Sequence, residues 1–162
     1  MNKRLIWNVM AGLALLILMT LAGCVRSQPI ESLGNGLPEY GAITPQQAAN
    51  VLFALQDNPG FVLLDIRTPE ETATSHLSGA IELDFYSSTF GDDVAALDRD
   101  SVYLIYCRTG RRSGEAYEMM EDLGFQHVYD LAGGITSWIA KGYPVCSGPL
   151  DAQHICTGQD TL

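Results

Sequence analysis

The chain has 162 residues, 47% of them hydrophobic and 17% charged, with 19 acidic against 9 basic side chains and a net charge of -10. That length suits one domain with its own core, while the acidity argues against a nucleic-acid surface and the apolar fraction against a disordered acidic chain. Four cysteines are too few for a disulfide scaffold and lack the paired C-x-x-C spacing of a zinc module, so no metal or other cofactor is expected.

Met1-Asn2-Lys3-Arg4 precedes a mostly apolar run from Leu5 to Leu21, and Ala22-Gly23-Cys24 follows. A basic start, an apolar stretch and small residues at a cut site describe a secretory signal. Leu21-Ala22-Gly23-Cys24 resembles the bacterial lipoprotein signal. That resemblance implies loss of residues 1–23 and lipidation of Cys24 as the new N-terminus. The alternative is an uncleaved helix from Leu5 to Ala22, near the short limit for spanning a bilayer. Both readings tether the protein to a membrane, with its folded part outside the cytoplasm. Asp after the lipid site holds such lipoproteins at the inner membrane. Val25 stands there, which favours the outer membrane in an organism that has two. Residues 24–40 carry Pro29, Gly34, Gly36 and Pro38 without an apolar period, a flexible tether with a reach of roughly 20–25 Å.

Thr44-Pro45-Gln46-Gln47 supplies a cap, a proline at the first helical position and a capping-box glutamine. It predicts a helix with Ala48, Val51, Leu52 and Leu55 on one face, ending near Asn58-Pro59-Gly60. Phe61 to Ile66 is a short apolar run, a buried strand. Thr68-Pro69-Glu70-Glu71 starts another helix, Ala80 to Leu83 is a weaker strand, and a helix around Val94 to Leu97 leads into the strand Val102 to Tyr106. Ser113 to Leu123 is helical, with Ala116, Met119, Met120 and Leu123 forming its apolar face. Gly124 stops it. A strand from His127 to Tyr129, the pair Gly133-Gly134 and a helix from Ile135 to Ala140 complete the pattern. Strands alternating with helices predict an α/β fold, a small parallel sheet flanked by helices on both faces. After Tyr143-Pro144 the pattern stops, leaving a mostly polar tail, 146–162, that holds Cys146 and Cys156.

Cys107-Arg108-Thr109-Gly110-Arg111-Arg112-Ser113 joins a strand to a helix, where ligands bind in open parallel sheets. A short loop before a helix aims several backbone N–H groups at one point. A cysteine there has its thiolate stabilised by those donors, by the helix dipole and by nearby arginines. The thiolate is the nucleophile, so sulfur chemistry is expected at Cys107. The plain alternative is a buried, inert cysteine ending a core strand beside a solvated basic loop. Gly110, the three arginines and the immediate helix start converge against it.

From about Ile43 to Val145 the chain resembles a single-domain rhodanese, a sulfurtransferase. The matching pieces are Leu64-Asp65-Ile66-Arg67-Thr68-Pro69-Glu70-Glu71, His76-Leu77-Ser78-Gly79-Ala80-Ile81, the Cys107 loop, Leu131-Ala132-Gly133-Gly134 with Trp138, and Gly142-Tyr143-Pro144-Val145. The resemblance implies a rhodanese-like domain over 41–145 and a persulfide on Cys107. The amides of Arg108, Thr109, Gly110, Arg111 and Arg112 would cradle that sulfur, Arg112 matching the arginine that closes the family's loop. Asp65 and Arg67 match a structural pair beside the site, since buried charges are paired. His76 is read as a structural hydrogen-bonder rather than a proton shuttle. Ser78 departs from the proline common in the family and touches none of this chemistry.

Phosphatases of related and distinct folds use a longer Cys-x5-Arg loop. The spacing here is Cys-x4-Arg, a smaller ring suited to one sulfur atom. Arg111 and Arg112 would attract an anion such as thiosulfate. Sulfur transfer is therefore expected over phosphate or arsenate chemistry. A binding module that keeps the fold without catalysis is a further reading, disfavoured by the intact nucleophile. The partners expected are a small sulfur-containing anion, a thiol or cyanide acceptor and a membrane, with no protein partner readable. Cys146 and Cys156, ten positions apart in an oxidising compartment, are read as a disulfide, the alternative being two free thiols.

Overall fold

The computed structural model describes residues 36–150 and 155–157. The signal segment 1–23, the lipid site Cys24 and the tether up to residue 35 lie outside the described residues. Among the described residues, seven strands and five helices follow one another in chain order. They are β1 (Gly41–Ile43), α1 (Pro45–Leu55), β2 (Phe61–Asp65), α2 (Pro69–Thr74), β3 (Ile81–Glu82), α3 (Phe90–Ala95), β4 (Val102–Tyr106), α4 (Arg111–Asp122), β5 (Val128–Leu131), α5 (Gly134–Ala140), β6 (Val145–Ser147) and β7 (Ile155–Thr157).

The first five strands form one sheet in the order β1-β5-β4-β2-β3, every pairing parallel. β4 lies at its centre and all five of its residues are buried, as expected of a strand covered on both faces. Leu64, Tyr103, Ile105 and Val128 face one side, where they pack with Phe90 and Val94 of α3 and Ala116 and Met120 of α4. Leu63, Leu104 and Leu131, also buried, take the opposite face by the two-residue strand period. The chain moves outward from β2 to β3, then returns to lay β4 on the other side of β2. That reversal places the carboxyl ends of β2 and β4 side by side at a switch point, where an α/β sheet offers a crevice.

Local signals explain most elements. At α1 the Thr44 hydroxyl accepts from Gln47 N–H at 3.3 Å while Gln47 Oε1 accepts from Thr44 N–H at 2.9 Å, the reciprocal capping box. Thr68 and Glu71 repeat the motif at α2. Other expectations need correction. The helix expected around Val94 to Leu97 begins earlier, at Phe90, with Asp92 and Asp93 in its first turn, where the dipole favours acids. The helix expected from Ser113 begins at Arg111. β1 gave no apolar run, being three residues held by register on β5.

The boundaries drawn at both ends also shift. Pro38 O accepts a hydrogen bond from the Tyr129 hydroxyl at 3.2 Å, and the Tyr40 ring packs on His127 and Tyr129, so the tether ends before residue 38. At the other end the chain does not leave the fold at Pro144. β6 and β7 pair antiparallel, Cys146 is buried, and Cys146 exchanges two backbone hydrogen bonds with His76 at 2.8 and 2.7 Å. Among the described residues, no helix is long and apolar enough to cross a membrane.

Candidate active site

β4 ends at Tyr106 and delivers Cys107 to the floor of the crevice, 1% exposed. The chain then turns through Arg108 and Thr109 to Gly110, which caps α4 with φ of 92°. That left-handed conformation favours glycine, and it points Gly110 N–H at Cys107 Sγ, 3.2 Å away. The Ser113 hydroxyl, in the first turn of α4, lies 3.6 Å from the same sulfur. Burial pushes the Cys107 thiol up. Hydrogen bonds from the Ser113 side chain and from the backbone at Ser113, Thr109 and Gly110 outweigh it, and hold the thiol below its ordinary value. Each such bond to a charged sulfur contributes about 1.5–3 kcal/mol.

The loop can turn its amides inward because its carbonyls are satisfied elsewhere. Cys107 O accepts from Ile135 N–H at 2.9 Å and Arg108 O from Thr136 N–H at 3.1 Å, both in the first turn of α5. Two glycines permit that contact. A Cβ on Gly134 would stand 2.3 Å from Cys107 O and 2.6 Å from the Arg108 carbonyl carbon. The Gly133-Gly134 pair is thus a backbone-to-backbone seat for the sulfur loop.

The three loop arginines do different things. Arg112 is 7% exposed and forks onto Glu71 of α2, with both N–O distances 2.8 Å. Arg111 pairs with Glu115 one turn on, at 2.6 Å in solvent. The expectation that their side chains stand open to an anion is thereby corrected: each is already engaged by a carboxylate. Arg108 and Thr109 are exposed at the rim. Together with Glu71 and Tyr86 these residues line an open cavity of about 320 Å³ above the buried sulfur. Tyr86 closes one wall, its hydroxyl 3.4 Å from Arg111 and its ring 5.4 Å from the Arg112 guanidinium. A larger apolar hollow of about 440 Å³ beside Phe53, Leu77 and Trp138 holds neither the free thiol nor a charged group, and is not a candidate for this chemistry.

Beneath the site, Arg67 donates to Asp65 Oδ1 at 2.8 Å. It also donates to the Ser75 carbonyl and lies 5.7 Å from the Tyr106 ring centre. Burial and the neighbouring Asp65 raise the Tyr106 phenol well above its ordinary value. Its oxygen accepts from Leu77 N–H at 3.0 Å, anchoring the Leu77-Ser78-Gly79-Ala80 turn to β4. That turn is closed by Ala80 N–H to Leu77 O at 3.2 Å, without the family's proline. His76 is fully buried with Nδ1 3.0 Å from Thr72 O. Its ring nitrogen meets α2, and its backbone pairs with Cys146 of β6. Cys146 and Cys156 are joined as a disulfide, and Cys107 is a free, buried cysteine.

The chain matches the family model of the rhodanese-like domain over residues 48–141. This chain belongs to the rhodanese family. Thiosulfate sulfurtransferase GlpE of Stutzerimonas stutzeri is 35% identical over 102 residues, covering 63% of this chain and 87% of that one. A sulfurtransferase of Allochromatium vinosum is 36% identical over 91 residues, 56% of this chain and 83% of the other. Among solved structures, a rhodanese-related protein of Thermoplasma volcanium superposes with TM-score 0.54 and 31% identity over 65% of this chain and 97% of its own. A rhodanese-like domain protein of Staphylococcus aureus gives TM-score 0.52 and 28% identity over 60% and 90%. The protein is accordingly a rhodanese-type sulfurtransferase.

For a rhodanese, the Arg111 and Arg112 guanidiniums frame the site electrostatically, while the donors on the sulfur are Gly110, Thr109 and Ser113. Ser113 and Glu71 were absent from the expected site residues. Ser113 lies in the loop motif, one position beyond Arg112, and Glu71 in both the helix start and the first matching piece, neither with a role assigned by the pattern. A buried arginine at the loop's end needs a carboxylate partner, which was the available signal for Glu71.

Proposed function

We propose that this rhodanese is a membrane-tethered enzyme that carries a sulfane sulfur as a persulfide on Cys107, taking it from thiosulfate or a persulfide and passing it to a thiol or cyanide. The observation that carries this reading is the convergence of Gly110 N–H and the Ser113 hydroxyl on Cys107 Sγ. Names of relatives such as the Stutzerimonas stutzeri thiosulfate sulfurtransferase support thiosulfate as a donor.

In the first half-reaction the Cys107 thiolate attacks the outer sulfur of thiosulfate. A sulfur–sulfur bond forms to Sγ, the donor's own sulfur–sulfur bond breaks, and sulfite leaves with that electron pair. In the second, a thiolate or cyanide attacks the outer persulfide sulfur. The bond to Sγ breaks and its electron pair restores the Cys107 thiolate. The hydrogen bonds at Sγ stabilise this anion as nucleophile and as leaving group. Arg108, exposed at the rim, supports attraction of a small dianion to the site on an otherwise acidic protein.

The Lys3-Arg4 start, the apolar run and Leu21-Ala22-Gly23-Cys24 support export and lipid anchoring through Cys24, facing the periplasm or the exterior. Several acyl chains on one residue make such an anchor firm. The sulfur-transfer reading is tested by thiocyanate formation from thiosulfate and cyanide. Wild type is expected to turn over, Cys107→Ser to be inert, and an aryl phosphate to be left intact. Aryl-phosphate hydrolysis without thiocyanate would replace the reading with a phosphatase. Release of the protein from membranes by Cys24→Ser tests the tether.

A further inference from the structure

Tyr86 belongs to the loop between β3 and α3, and that loop is built to turn its side chain outward. Asp84 closes the turn twice, its carbonyl accepting from Ser87 N–H and its carboxylate from Tyr86 N–H, both at 2.9 Å. Phe85 packs inward on the core beside Phe90, with ring centres 5.0 Å apart. Its neighbour faces the other way: Tyr86 is 61% exposed, and what it meets there is the sulfur loop.

Two loop arginines hold the phenol. The Arg112 guanidinium lies 5.4 Å from the ring centre, and Arg111 donates to the hydroxyl oxygen at 3.4 Å. Both arginines are committed to carboxylates, Arg112 to Glu71 and Arg111 to Glu115, so neither depends on the phenol for its charge partner. A phenol whose oxygen accepts a hydrogen bond still has its own proton to give, and among the described residues no acceptor takes it. The cavity that Tyr86 walls is also lined by Arg108 and Thr109, and among the described residues Arg108 has no carboxylate partner. Glu71, the carboxylate in the same lining, has both oxygens on Arg112. The cavity therefore offers unspent donors and no unspent carboxylate.

We infer that Tyr86 is a specificity-determining residue for the sulfur donor: its O–H, with Arg108, receives the oxygen end of thiosulfate or an organic thiosulfonate while the outer sulfur reaches Cys107. The inference rests on the proposed transfer through Cys107. As the thiolate attacks, a sulfur–sulfur bond forms to Sγ, the donor's own breaks, and its electron pair leaves on sulfite or a sulfinate. Negative charge on the donor oxygens grows in that step, and a hydrogen bond from the phenol strengthens with it. A donor made of sulfur alone, such as inorganic polysulfide, has no such oxygens and gives Tyr86 nothing to hold.

The test is single-turnover loading of the full oxidised chain at low donor concentration, followed on the peptide that carries Cys107. Tyr86→Phe keeps the ring on Arg112 and removes only the hydroxyl. It is expected to slow loading from thiosulfate about ten-fold, the lower range for a hydrogen bond to a charged group, and to leave loading from inorganic polysulfide unchanged. Thiosulfate loading that is unchanged in Tyr86→Phe overturns the inference, as does an equal loss with both donors, which would make the ring a mere wall. Calorimetric binding of thiosulfate to Cys107→Ser, with and without Tyr86→Phe, reads the same contact without any transfer. The added substitution should weaken binding, again about ten-fold. If no donor loads wild type, the transfer reading fails and this binding decides the inference alone: binding that is absent, or indifferent to Tyr86→Phe, overturns it.

Discussion

Glu71 and Arg112 meet in a two-pronged ion pair, 2.8 Å on each arm, that ties α2 to the first turn of α4. Glu71 also accepts from Thr68 N–H at 3.3 Å, so one carboxylate caps its own helix and holds the arginine that closes the sulfur loop. The fork geometry is one that arginine forms and lysine does not.

Glu71→Gln should cost about 1–2 kcal/mol in urea unfolding at pH 7, the lower range for a bond to a charged group, because the pair is partly exposed. The Arg112 hydrogen bond holds the Glu71 carboxyl below its ordinary value of 4.5, against a smaller opposing effect of burial. A depressed folded value means that the native state binds fewer protons than the unfolded one near that pH. The stability gap between wild type and Glu71→Gln should therefore be full above about pH 4.5, and should close as the pH falls through the folded value. Unfolding curves at pH 7, 5 and 3.5 would show it.

Gly134→Ala should be among the most damaging single methyl additions in the domain. The new carbon would stand 2.3 Å from Cys107 O, on a residue with φ of 58°. Overpacking and left-handed strain together predict a loss of about 2–5 kcal/mol, with sulfur transfer falling in the fraction that remains folded. Gly142→Ala, which meets no atom within 4 Å at a φ of 79°, should cost only the strain, about 1 kcal/mol. Thermal unfolding of the two variants separates the contact from the conformation.

Reduction of the Cys146–Cys156 disulfide should lower stability by about 2–3 kcal/mol in the chain-entropy account of a ten-residue separation. The cost should appear in urea unfolding with and without reductant, and should be absent in Cys156→Ser. Peptide mapping during turnover should find the link unbroken, which assigns the pair to the fold rather than to the transfer reaction at Cys107.

The sheet and the sulfur loop were readable because their signals are local. β4 is five buried residues in a row, and Cys107 to Ser113 places the nucleophile, glycine and helix start within seven positions. What escaped depended on residues far apart in the chain. Glu71 and Arg112 are 41 positions apart. β6 hid as polar tail because its hold on the domain is backbone hydrogen bonding to His76, which leaves no mark in side-chain pattern. The loop arginines were legible as charge, but their carboxylate partners were not.

The central claim is that Cys107 carries the transferred sulfur, and intact mass after thiosulfate treatment tests it most directly. Wild type should gain one sulfur atom, lose it to cyanide, and Cys107→Ser should gain none. A wild-type protein that gains no sulfur from thiosulfate, from inorganic polysulfide or from a low-molecular-weight persulfide would contradict the account.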